Sequence, residues 1–378
     1  MNGNTEKKGI SAFLKICPVR HILLVLSSLV IILHLLTRSD RLQMIWISNH
    51  LIRPIHRTLS VWTSHAPFSV AEMLIALLVI LVTVYIVLQL VALFRKPEKL
   101  KRLYKTIITL ITASFMIYAG FCLLWGVYYY GDDFITRSGL KNEKISVDEL
   151  AEVTEYFASM ANDYSSKVSR DSSGVYSADY RAIIERSGTV YDKLEKTFPV
   201  LDGPDVKAKG VICSRIMSYV DFTGFFFPFT AEANVNTETP SAYFASTVAH
   251  ELAHQRGVAK EQEANFAAVL ASLEYGDPDY VYSAAVLAYT HLGNALYDAD
   301  NEKWEEIYSR LDDAVIKDLK ANREYWQRFD TPVQKVSNAV YENFLYSYGQ
   351  DLGLKSYGAC VDLLVNYYFE IAHAANNP

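Results

Sequence analysis

The stretch His250-Glu251-Leu252-Ala253-His254, followed by Gly257 and then by Glu261-Gln262-Glu263-Ala264-Asn265, decides how the second half of this chain is read. Residues four apart lie on one face of an α-helix, so His250 and His254 can offer two imidazoles to a single metal ion. Glu251, beside them, turns towards the space where a general base for a water nucleophile belongs. Thr239-Pro240 reads as the N-cap and first position of this helix, Gly257 as its C-terminal break, and Glu261 as the opening of the next helix. A catalytic zinc takes three protein ligands and keeps one position open. Glu261 is the preferred third ligand, because it shares a helix face with Asn265, which could orient a histidine or the glutamate from behind. Glu263 is the competitor, on another face. One Zn2+ per chain and hydrolysis of a peptide bond are the expectations, with Glu251 as proton acceptor. An oxyanion donor is still required, and Tyr357, taken first, Arg215 and His291 are the candidates, none of them selected by spacing.

Upstream of the motif, Glu232, Asn234 and Asn236 occupy alternate positions, as one face of a strand would show them. An edge strand there could bind an extended peptide substrate by backbone pairing, and a plain structural loop is the alternative. The surrounding run from Val211 to Asn236, with its aromatic string Phe225-Phe226-Phe227-Pro228-Phe229, reads as a small sheet or hairpin, the aromatics serving as core or membrane-facing groups. Further out the pattern is helical: Ser146 to Met160 behind a Ser146/Glu149 capping box, Ala178 to Phe198, and nearly everything after Thr239, with breaks at Gly276-Asp277-Pro278 and near Gly349 to Gly353. The block 128–378 is therefore expected to be a mostly helical α+β domain with a small β-sheet.

The block 1–127 differs in kind. Apolar runs at about 21–37, 69–94 and 106–127 each approach the roughly 20 residues that cross a bilayer core, so three transmembrane helices are expected and the lipid bilayer is a partner. Ten positive charges precede the first run or lie between the second and third, whereas the loop from Arg38 to Phe68 holds four. The positive-inside rule then puts the N-terminus in the cytoplasm and the block after Val127 outside it. The loop around Ile45 to Trp62 could lie along the membrane surface. Up to Val127 there are 14 basic and 4 acidic residues, against 22 and 38 afterwards. Such an acidic block repels phosphate backbones, which argues against a nucleic-acid partner. Four cysteines are too few for a disulfide scaffold, though Cys213 and Cys360 could pair in an oxidising compartment.

Several stretches carry a likeness to a known family: Ala66-Pro67-Phe68-Ser69, Trp125-Gly126, Phe227 through Asn236, His250 through Phe266, and Ser356-Tyr357-Gly358. Together they resemble a bacterial family of uncharacterised multi-pass membrane proteins, a domain of unknown function with an HExxH motif. Glu261-Gln262-Glu263-Ala264-Asn265 is also similar to the third-ligand helix of glutamate-zincins. That likeness implies a zincin-like metallopeptidase fold, Glu261 as zinc ligand and Asn265 as its partner, in a bacterial cell membrane. Two rivals stand beside it. Glu251 with His254 and Glu370 with His373 are both ExxH pairs, the arrangement of di-iron carboxylate bundles. A non-catalytic membrane sensor or binding module that kept the fold is the other.

Overall fold

The computed structural model describes residues 15–348 and 357–376, without the side chains of 357–359 and 376. In chain order the helices are α1 (Pro18–Thr37), α2 (Arg41–Ile47), α3 (Arg53–Ser64), α4 (Val70–Arg95), α5 (Lys99–Leu124), α6 (Phe134–Ser138), α7 (Val147–Ser165), α8 (Tyr180–Arg186) and α9 (Leu194–Thr197). Then come β1 (Lys209–Val211), α10 (Ser214–Tyr219), β2 (Gly224–Phe227), β3 (Glu232–Asn236), α11 (Phe244–Gln255), α12 (Glu261–Tyr275) and α13 (Pro278–Ala299). The chain finishes with α14 (Asn301–Tyr308), α15 (Asp313–Gln327), α16 (Pro332–Ser347) and α17 (Tyr357–Asn376).

Contacts divide the chain into two compact units. The first holds the chain up to Ile52 and from Ala71 to Gly131. Its helices α1, α4 and α5 are long and apolar enough to cross a membrane. Leu77 through Leu81 all lie exposed on α4, the distribution of a helix whose solvent is lipid. The third apolar helix starts at Lys99, earlier than expected, because the Lys and Arg residues before Thr106 are themselves good helix formers. Polar side chains tie α1 to α5: Thr112 Oγ1 donates to the Arg20 carbonyl at 3.3 Å, and His21 Nε2 lies 2.7 Å from Tyr104 Oη.

The second unit takes Arg53–Val70 together with the chain from Asp132 onward. The boundary expected near Val127 thus has an exception, since the loop carrying α3 belongs with the later block. Arg53 donates to the carbonyls of Val200 and Asp202, Arg57 pairs with Asp202, and the Lys209 ammonium reaches the carbonyls of Thr63 and Phe68 at 2.9 and 3.1 Å. Those bonds fix the loop on the sheet side of this unit.

Most of the unit is helical. The Ser146/Glu149 capping box starts α7, which packs along α13 and α17, while α11 and α12 pack against each other and on α13. Phe157, Leu252, Phe266 and Tyr280 are fully buried in this core, each such burial worth roughly 1.5–3 kcal/mol. The helix expected from Ala178 to Phe198 is instead divided, because Ser187 Oγ accepts from the Ala208 N–H and Gly188 lies against the Asp205 carbonyl. The sheet has the order β1-β3-β2, with β1 parallel and β2 antiparallel to β3. Strand β3 is accordingly central, paired on both sides, and not the edge strand expected from its alternating residues. Cys213 is exposed and Cys360 buried, and the two are not joined.

Candidate metal centre

Helix α11 begins at Phe244, later than Thr239-Pro240 suggested, because the Thr239 hydroxyl turns back to the Asn236 carbonyl and a 3-10 turn, Ser241–Tyr243, intervenes. It ends in a Schellman motif: the Val258 N–H donates to the Ala253 carbonyl at 3.1 Å and the Gly257 N–H to the His254 carbonyl at 2.9 Å. Gly257 sits at φ +85°, a left-handed conformation that a side chain would oppose. The turn has a chemical consequence. It folds the Val258 carbonyl back to 2.6 Å from His254 Nδ1.

His250 Nδ1 lies 2.8 Å from Asn265 Oδ1 on α12. Each imidazole therefore donates from Nδ1 to an oxygen behind it, which turns Nε2 towards the cluster. The two Nε2 atoms face each other at 3.1 Å, and Glu261 Oε2 lies 3.2 Å from the first and 3.6 Å from the second. All three ligand atoms fall within 4.8 Å of one another, and among the described residues no other group of His, Cys, Asp and Glu comes together in this way. Glu263 does not join them. Its Oε2 accepts from the Phe134 N–H at 2.7 Å, on the far side of the helix.

Glu251 is buried beside this cluster, and its Oε2 has no hydrogen-bond partner among the described residues. Strand β2 closes over it: a Cβ on Gly224 would stand 2.5 Å from Glu251 Oε1, so only glycine allows this approach. Burial raises the Glu251 carboxyl to about 7 against the pull of the two histidines. Burial would likewise lower His254, but the Glu261 carboxylate overrides it and raises the imidazole to about 9. Glu261 itself, which burial would raise, is held well below the usual carboxylate range by His254 and His250. Two imidazole Nε2 atoms turned to a common point, a carboxylate kept ionised between them and an orphaned carboxylate oxygen alongside form a donor set that fits a divalent cation, which would take the place of the proton that Glu261 holds on His254.

The remaining expected residues fall elsewhere. Asn234 Nδ2 donates to the Glu232 carbonyl and its Oδ1 accepts from Ser69 Oγ at 2.6 Å; Glu232 Oε1 accepts from the Val70 N–H at 3.1 Å and lies 3.6 Å from Lys209 Nζ. Asn236 donates to Ser218 Oγ and the Phe222 carbonyl. These three side chains bond to the loops that flank β3. Arg215 is exposed on α10. His291 is buried on α13 and is lowered to about 4, by burial and then by His250, so it sits near the cluster as a neutral imidazole. Tyr357 opens α17, and its side chain lies outside the described residues. The di-iron arrangement does not form, since His373 is exposed and bonded to Glu152 at 2.9 Å.

One residue was missed. Tyr341 on α16 donates to Glu261 Oε1 at 2.7 Å, its ring edge-on to Phe222. Ser337, bonded to the Val220 carbonyl, and Asn338, bonded to Asp221, seat the same helix. No local spacing links position 341 to the motif, so nothing in the sequence marks it.

Residues 48–365 match the family described as Protein of unknown function (DUF3810), and the chain belongs to that family. No curated protein and no solved structure matches the chain.

Proposed function

We propose that this chain is a membrane-anchored zinc-dependent peptidase, with His250, His254 and Glu261 as ligands and Glu251 as general base, acting on a protein or cell-envelope peptide outside the cytoplasm. The observation that carries the reading is the convergence of His250 Nε2, His254 Nε2 and Glu261 Oε2 beside the orphaned Glu251 carboxylate. A bound zinc would supply Lewis acidity and lower the pKa of water at its open position. Asn265 and the Val258 carbonyl hold the two imidazoles in the ligating tautomer. Glu251, buried with its Oε2 unpartnered, would take up a proton at that atom and return it to the leaving amine. Tyr341, whose hydroxyl donates to Glu261 Oε1, is a candidate oxyanion donor beside Tyr357.

Strand β2 supplies the docking edge that β3 cannot. The Asn236 N–H donates to the Thr223 carbonyl, so antiparallel alternation turns the N–H and C=O groups of Gly224 and Phe226 away from β3. A peptide paired there would run past Glu251, because Gly224 lies against that carboxylate. The charge distribution supports an external site, the basic loops of the apolar helices remaining in the cytoplasm. Purified protein carrying Glu251→Gln is expected to keep its zinc and lose hydrolysis by about 10²–10⁴-fold. Unchanged hydrolysis in that variant would sink the enzyme reading and leave a sensor or binding module.

A further inference from the structure

The residues between the second and third ligands are gripped from outside the motif. Lys260, at the N-cap of α12, places its ammonium 2.6 Å from Asp133 Oδ2 and 3.9 Å from Glu263 Oε1. Glu263, buried, accepts from the Phe134 N–H at 2.7 Å. Arg137 donates from Nη2 to the Gly257 carbonyl at 3.2 Å and from Nε to the Asp133 carbonyl at 3.3 Å. Asp133 also caps α6, its Oδ1 accepting from the Thr136 N–H at 2.9 Å. The bonds from Asp133, Phe134 and Arg137 thus land on Gly257, Lys260 and Glu263. That stretch also carries Val258, which orients His254, and Glu261.

We infer that Asp133, Arg137 and Glu263 are positioning residues for the metal centre, so that the segment leaving the third apolar helix helps to set the affinity of the site for zinc. The inference rests on the zinc reading above. The physical reason is that a third ligand from a second helix is only as well placed as the turn joining the two helices. Glu261 stands one residue from Lys260 and two from Glu263, and both are anchored to a segment more than a hundred residues earlier in the chain. Outer partners of this kind typically carry a 10–100-fold share of metal affinity. Linkage makes the effect reciprocal: whatever the segment contributes to zinc binding, zinc returns as tighter docking of the segment.

The experiment uses the full chain in detergent, with zinc alone as the probe. Chelator competition gives the zinc affinity of wild type, Asp133→Asn and the charge-keeping Asp133→Glu, and Asp148→Asn, on the exposed pair with Lys303, serves as control. Amide hydrogen exchange over residues 133–140 is followed with and without zinc. The expected result is an affinity about 10-fold weaker in Asp133→Asn, recovery in Asp133→Glu, which keeps the charge, no change in the control, and slower exchange of the segment when zinc is added. A segment that is merely structural glue would lower thermal stability without these zinc-linked changes. Wild type that binds zinc, with Asp133→Asn equal to it and exchange unaltered, overturns this inference alone. Wild type that takes up no zinc overturns it together with the reading on which it rests.

Discussion

Helix α11 and strand β3 lie against each other in the same unit, both are buried, and both carry polar side chains at regular spacing, yet they spend those side chains in opposite ways. On β3, the Glu232 carboxylate holds the Val70 N–H, the Asn234 amide holds Ser69, and the Asn236 amide holds Ser218 and the Phe222 carbonyl. On α11, the Nδ1 atoms of His250 and His254 are bonded, but their Nε2 atoms face each other and Glu251 keeps an orphaned oxygen. Buried polar groups are normally satisfied, because leaving one unpaired costs about 1–3 kcal/mol. A polar face whose capacity is used up by the chain is scaffold. One whose ligand atoms converge on a common point has the geometry of a metal site.

Mutations on the two elements should separate these roles. The largest effect belongs to the metal side. Asn265→Ala removes the acceptor behind His250 Nδ1 and is expected to weaken zinc affinity by about 10–100-fold with little change in folding, as read by chelator competition. On the scaffold side, Asn234→Leu should leave zinc content unchanged and destabilise the unit by about 1–3 kcal/mol, because it removes the side-chain bonds to the Ser69 hydroxyl and to the Phe225 and Glu232 carbonyls and buries an apolar group among them. Loss of zinc with intact stability in that variant would reverse the assignment of β3.

The smallest effect is one of pH and concerns the loop clamped on the sheet. His56 on α3 packs edge-on to Phe226, and burial, opposed by the Pro228 carbonyl, lowers it to about 4. A histidine with a depressed folded pKa favours its neutral form, so its contribution is complete above about 6.5 and is lost as pH falls from there towards 4. Denaturation at pH 7.5 and at pH 5 should show wild type losing on the order of 1–2 kcal/mol more than His56→Asn across that interval. Equal losses in both proteins would mean that His56 is not held in this environment.

The same contrast explains what could be read from the sequence. The apolar helices, the capping box at Ser146, the glycine that ends α11 and the pairing of His250 with His254 are all set by spacings of a turn or two, and periodicity exposes those. The preference for Glu261 over Glu263 drew on helix geometry together with the likeness to glutamate-zincins, and it is Glu261 Oε2 that lies 3.2 and 3.6 Å from the two imidazoles. Tyr341 was not, because its hydroxyl reaches Glu261 across 80 positions of chain. Nor was the role of Glu232 and Asn234. Alternation revealed a strand correctly, but their partners Ser69 and Val70 lie more than 160 residues away, and only the pairing of β3 on both sides excludes it as an edge. The grouping of Arg53–Val70 with the later block was hidden for a related reason: α3 is amphipathic like a surface helix, and the bonds from Arg53 and Arg57 to Val200 and Asp202 are tertiary.

The central claim is that three side chains on two helices form one metal site, and the zinc content of the purified full chain tests it most directly. Wild type is expected to hold about one zinc per chain, and His250→Ala and Glu261→Ala to lose most of it while keeping their helical content, since a catalytic zinc site has three protein ligands. No zinc in the wild type, or undiminished zinc in Glu261→Ala, would contradict the account.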